Sequence, residues 1–121
     1  ENQLTKYMNQ TALAYWEKED LGKYFSPEKE ERGEAIPADV EDLVRIHRLI
    51  RQRKSFTVLE FGVGFSTVII ADALEKNKAV WQKLDPQPKI RNRFQFQCFS
   101  VDTSEKWIAI THGAYERGLE N

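Results

Sequence analysis

The chain has 121 residues, 40% of them hydrophobic and 31% charged, which suits one globular domain and excludes a disordered chain or a two-domain protein. A net charge of -1 gives no global field toward nucleic acid or an acidic membrane, so neither is an expected partner. The single cysteine, Cys98, excludes a disulfide framework and a multi-cysteine zinc site, no metal is expected, and no apolar run approaches the roughly 20 residues that span a bilayer; a cytoplasmic protein without a signal peptide is the expectation.

The first element is an amphipathic helix over residues 3 to 19, where Leu4, Tyr7, Met8, Ala12, Tyr15 and Trp16 form one stripe at spacings of three and four. Ser26 to Pro37, with its prolines, Gly33 and the charge run Glu28 to Arg32, reads as an exposed loop. Residues 1–37 therefore form an N-terminal helical extension and loop, and residues 38–121 form the main unit. A second helix is predicted from Ala38 to Arg53. Acidic Asp39, Glu41 and Asp42 stand at its positive end, and Arg48, Arg51, Arg53 and Lys54 crowd its C-terminal end. Val40, Leu43, Val44, His47 and Ile50 make its buried stripe.

Phe56 to Phe61 is short, β-branched and aromatic, and reads as a buried parallel strand stopped by Gly62. A helix is predicted from Ser66, with Ile69, Ile70, Ala73 and Leu74 inward, ending at Asn77 or continuing toward Leu84. Asp85-Pro86-Gln87-Pro88 breaks the chain. A second strand is predicted from Phe94 to Val101, with Phe94, Phe96, Cys98 and Ser100 on one face. A last helix starts near Ser104 and stops at Gly118. The order helix, helix, strand, helix, strand, helix is that of an α/β fold with parallel strands.

The informative segment is Val58 to Thr67. There a strand runs into the turn Gly62-Val63-Gly64-Phe65 and out into a helix. Glycines let the backbone turn sharply and approach a ligand, and the helix N-terminus offers free N–H groups. A dinucleotide site would want a third glycine where Thr67 stands, and an acidic residue about 20 positions further on. Asp102 lies about twice as far, and Asp72 and Glu75 fall inside the helix. A nucleotide- or nicotinamide-binding enzyme fragment stays open as an alternative.

The run Glu60-Phe61-Gly62-Val63-Gly64-Phe65-Ser66-Thr67 resembles the acidic, glycine-rich signature at the first strand of Rossmann-like S-adenosylmethionine-dependent methyltransferases. Ser100-Val101-Asp102-Thr103-Ser104 is similar to the second element of that family. The resemblance covers Ala38 to Gly118 and implies a partial Rossmann-like fold that binds S-adenosylmethionine. Gly62 and Gly64 would lie against the cofactor, with Ser66 closing the signature. Glu60 would orient the amino acid end, and Asp102 would hold both ribose hydroxyls, since a carboxylate accepts from two hydroxyls at once. The stretch Ala79 to Arg93 lengthens the gap between the two motifs. The family's later strands have no counterpart after Gly118, so the chain reads as the truncated front half of such a domain, and no catalytic residue is nominated.

Plainer readings stand beside these. The glycines could make only a structural turn in a non-enzymatic interaction fragment, Glu60 could cap a helix, and Asp102 could cap the last one. Ser66 and Thr67 read as first-turn residues. His47 reads as a satisfied core histidine, Cys98 as an inert thiol, and Lys89, Arg91 and Arg93 as a solvated loop. His112 reads as a surface residue that complements a helix dipole. Tyr7, Tyr15, Trp16, Tyr24 and Phe25 read as a packing face rather than a lid. Unpaired strand edges predict a homo-oligomer.

Overall fold

The computed structural model describes residues 9–25, 40–62, 64–101 and 119. The loop from Ser26 to Pro37, the first turns with Leu4, Tyr7 and Met8, the predicted helix from Ser104, His112 and Asp102 lie outside the described residues. Helix α1 spans Gln10–Lys18 and is followed by a short 3₁₀ helix, Leu21–Tyr24. Then come α2 (Val40–Arg53), strand β1 (Thr57–Phe61), α3 (Phe65–Gln82) and strand β2 (Gln97–Val101). The fold is mixed α/β, and β1 and β2 pair in parallel with Leu59 opposite Phe99 and Glu60 opposite Ser100. Among the described residues no helix is long and apolar enough to cross a membrane.

Each helix end has a local cause. The Asn9 side chain caps α1 by accepting from the Ala12 N–H at 2.8 Å, while its own N–H donates to Glu41 of α2 at 3.0 Å. At the far end of α2, Lys54 takes a left-handed φ of 53°. Its N–H donates to the Arg51 carbonyl and that of Ser55 to the Ile50 carbonyl, the paired bonds of a Schellman ending. Asn77, offered by the sequence as a possible end of α3, instead lies buried within it. Its amide donates to the carbonyls of Ile50 at 3.1 Å and Ser55 at 3.0 Å, and its oxygen accepts from Arg51 at 2.9 Å. One side chain of α3 thus ties down the end of α2 and the residue that follows it.

All five stripe residues predicted for α2 are buried, as are Ile69, Ile70, Ala73 and Leu74 of α3. Trp16, Leu21 and Tyr24 share one core with Leu43, Val44 and Ile69, so the described part of the N-terminal extension packs on the helix pair. Trp16 stacks on Phe25, and Phe25 packs on Phe65 beside the glycine turn.

The sheet corrects two expectations. β1 is covered on one face only: Val58 packs with Cys98 against the Ile70, Ala73 and Leu74 cluster, whereas Leu59 and Phe61 are 61% and 85% exposed. Its apolar run reflects a second apolar face that no described residue covers. The second strand begins at Gln97 and not at Phe94, because Phe96 has a φ of 59°, which extended backbone cannot accommodate. Phe96 turns instead onto Phe56 and Trp81.

Lys54 is exposed and carries a side chain where glycine is favoured. Lys54→Gly is expected to stabilise the protein by about 0.5–1 kcal/mol, read as a higher urea midpoint. A lower midpoint would contradict this account of the end of α2.

Candidate functional site

Glu60 is the penultimate residue of β1 and sits on the face turned toward α3. Its carboxylate is surrounded by hydroxyls. Ser66 donates to Oε2 at 2.5 Å, Thr67 donates to Oε1, and Ser100 of β2 donates to Oε1 at 2.9 Å. Thr67 in turn accepts from the Gly64 N–H at 3.1 Å, which ties the glycine turn to the same carboxylate. No Lys, Arg or His forms a salt bridge with Glu60 among the described residues. The carboxylate stands at the N-terminus of α3, where the helix dipole favours negative charge, without a counter-cation among the described residues.

Gly62 has a φ of 94°, a conformation that glycine alone adopts without strain. Its N–H donates to the Val101 carbonyl at 2.7 Å, extending the ladder beyond β1. A Cβ added at Gly62 or Gly64 meets no described atom within 4 Å, so the backbone of the turn is open on that side. Gly62, Gly64, Glu60 and Ser66 are thus brought together at the C-terminal end of a parallel strand. β2 ends at Val101, and Asp102 lies outside the described residues.

Ser100 and Thr67 were not nominated as ligand-facing residues, and their link to Glu60 is the feature sequence reasoning missed. The strand register held the signal, since Ser100 stands directly opposite Glu60. Cys98 lies half-buried on the same face, with its sulfur 3.4 Å from the Ser100 oxygen. Burial pushes its thiol pKa up, the Ser100 contact works against that, and the Glu60 charge adds to it. That upward shift disfavours the reactive thiolate, in keeping with the inert thiol expected from the sequence. Lys89, Arg91 and Arg93 are exposed.

A second polar cluster lies within the helical core. His47 is fully buried. Its Nε2 lies 2.8 Å from Asp72 Oδ2 and its Nδ1 lies 2.6 Å from the Tyr15 hydroxyl. The carboxylate can only accept, so Nε2–H donates to it, and in the neutral ring Nδ1 accepts from Tyr15. Tyr24 donates to the other Asp72 oxygen at 2.5 Å, and Lys76 pairs with Asp72 at 2.9 Å. Burial, followed by the Glu19 charge, pushes the Tyr15 pKa up to about 12, which keeps its hydroxyl a donor. For Asp72 burial acts upward, but the hydrogen bonds from His47, Tyr24 and Lys76 outweigh it and hold the pKa at about 2. Every member of the cluster is partnered, so it stabilises the fold rather than offering reactivity.

No protein-family profile, curated protein or solved structure matches the chain. The functional reading therefore stands on the geometry of the turn and its carboxylate.

A folded pKa below the unfolded one means that Asp72 contributes its full stability above about pH 4. That contribution is lost as pH falls through about 2. Asp72→Asn is expected to remove about 2 kcal/mol of acid-dependent stability, so that urea midpoints of the variant fall less steeply between those pH values than those of the wild type. A variant as acid-sensitive as the wild type would contradict this.

Proposed function

We propose that this chain is an S-adenosylmethionine-binding, methyltransferase-like module. One observation carries the reading: the Glu60 carboxylate, which has no salt-bridge partner among the described residues, is fixed by hydroxyls beside a glycine turn at the junction of a parallel strand and a helix. An anion without a counter-cation suits a ligand bearing positive charge. S-adenosylmethionine has an ammonium and a sulfonium, whereas the nicotinamide-dinucleotide alternative brings its pyrophosphate to this turn.

The residues present fit the group. Among the described donors, Glu60 has an acceptor position left for an ammonium. Gly62 and Gly64 leave room for the methionine and ribose portions, and Asp102 follows the neighbouring strand end with the acceptor pair a ribose diol requires. When bound, the cofactor supplies an activated methyl. The chain's own part is to fix the cofactor's orientation and shield one side of it from water. The methyl acceptor and the catalytic residues are left open, and the proposed compartment is the cytoplasm.

Isothermal titration of S-adenosylhomocysteine into the purified chain tests the reading, with NAD as the competing ligand. Binding is expected for wild type, with a loss of about tenfold or more in Glu60→Gln and in Asp102→Ala, since a hydrogen bond to a charged group is worth about 1.5–3 kcal/mol. Preference for NAD would favour the dinucleotide alternative. No binding of either by a folded chain would leave the glycine turn as a structural device in an interaction fragment.

The exposed sheet face supports a second reading, that the chain is a homo-oligomer. Leu59 and Phe61 of β1 lie opposite Phe99 and Val101 of β2, with Phe94 packed edge-on to Phe99. All five are exposed and none is charged, so the patch suits a second copy of itself. Packing two copies through it would bury on the order of 1,000 Å² in total, near the lower bound for a specific interface. Sedimentation at micromolar concentration is expected to give a dimer that Phe61→Ser dissociates. A monomeric wild type would contradict it.

A further inference from the structure

We propose that Thr67 and Ser100 are positioning residues, which fix the direction of the Glu60 carboxylate and leave it a single acceptor position for the ligand; this rests on the cofactor reading above. An ionised carboxylate has about four lone-pair sites. Thr67 and Ser100 occupy both sites of Oε1, and Ser66 occupies one of Oε2. Among the described residues one site on Oε2 is left over.

The three donors come from different parts of the fold. Ser66 and Thr67 belong to the first turn of α3, and Ser100 belongs to β2. A carboxylate held only from α3 would swing with that helix. Held from β2 as well, it is fixed relative to both walls of the strand-to-helix junction. Each hydroxyl has one hydrogen, and that of Thr67 or Ser100 is committed to Glu60. The Thr67 oxygen then accepts from the Gly64 N–H, and the Ser100 oxygen is placed to accept from the Cys98 thiol. Both hydroxyls are thereby polarised toward the carboxylate, which strengthens the bonds. The turn and the acid form one rigid unit before any ligand arrives, so the ordering cost of binding is reduced.

A merely structural role would fill the same space without needing a donor. The test is titration of S-adenosylhomocysteine into wild type, Ser100→Ala, Ser100→Thr, Thr67→Val and Thr67→Ser, together with side-chain J couplings of Glu60 in the ligand-free proteins. Wild type, Ser100→Thr and Thr67→Ser are expected to hold Glu60 in one rotamer and to bind alike. Ser100→Ala and Thr67→Val are expected to average the rotamers and to weaken binding about tenfold. A single Glu60 rotamer in Ser100→Ala overturns the positioning role. So does unchanged affinity in Ser100→Ala when wild type binds. A wild type that binds nothing overturns the cofactor reading instead, and the couplings separate the two failures.

Discussion

A charge buried among helices must be satisfied from every side, and the helical half of this protein is organised around one such charge. Asp72 lies on α3 with 4% of its surface exposed. An unpaired carboxylate there would cost several kcal/mol. The sequence supplies partners from each neighbouring element: His47 from α2, Tyr24 from the 3₁₀ helix and Lys76 from the next turn of α3. Tyr15 of α1 reaches the same centre through His47. Lys76 also donates to the Glu19 carbonyl at 2.5 Å, which ties down the end of α1. The apolar contacts of Trp16, Leu21 and Val44 drive the helices together, and the Asp72 cluster selects the arrangement in which they meet.

That arrangement positions the other polar centre. With α3 held by α2 along most of its length, its first turn presents Ser66 and Thr67 to Glu60, and the glycine turn is stretched between strand and helix. The two carboxylates contrast. Asp72 is paired with Lys76 and a buried histidine, so its charge is spent within the fold. Among the described residues Glu60 meets only neutral hydroxyls and no cation. This difference, rather than the presence of glycines alone, makes the strand end a candidate binding site. Glycines explain how the chain turns, and the carboxylate explains what it would hold.

Helix burial was legible from residue spacing alone. The α2 stripe from Val40 to Ile50 and the α3 stripe from Ile69 to Leu74 follow from helical periodicity, because apolar residues recur along one side of each helix. The strands were harder. The run Phe56 to Phe61 is apolar on both sides, which periodicity reads as double burial, yet Leu59 and Phe61 are exposed. Phe96 interrupts the expected second strand through a left-handed φ that no residue type at that position signals. His47 was recognisable as a core histidine, but its partners were not, because Tyr15 and Asp72 lie far from it in sequence. Glu60, Gly62, Gly64 and Ser66 could be nominated from a local motif. Ser100 could not, because its link to Glu60 exists only once the strands are in register.

The central claim is that the Glu60 carboxylate and the glycine turn together receive the cofactor. The most direct measurement is a backbone amide NMR titration of the whole chain with S-adenosylhomocysteine. The account predicts saturable shifts concentrated at Glu60, Gly62, Gly64 and Ser66, with the amides around Asp72 and His47 left in place. Shifts scattered over the surface, or none at the turn, would contradict it.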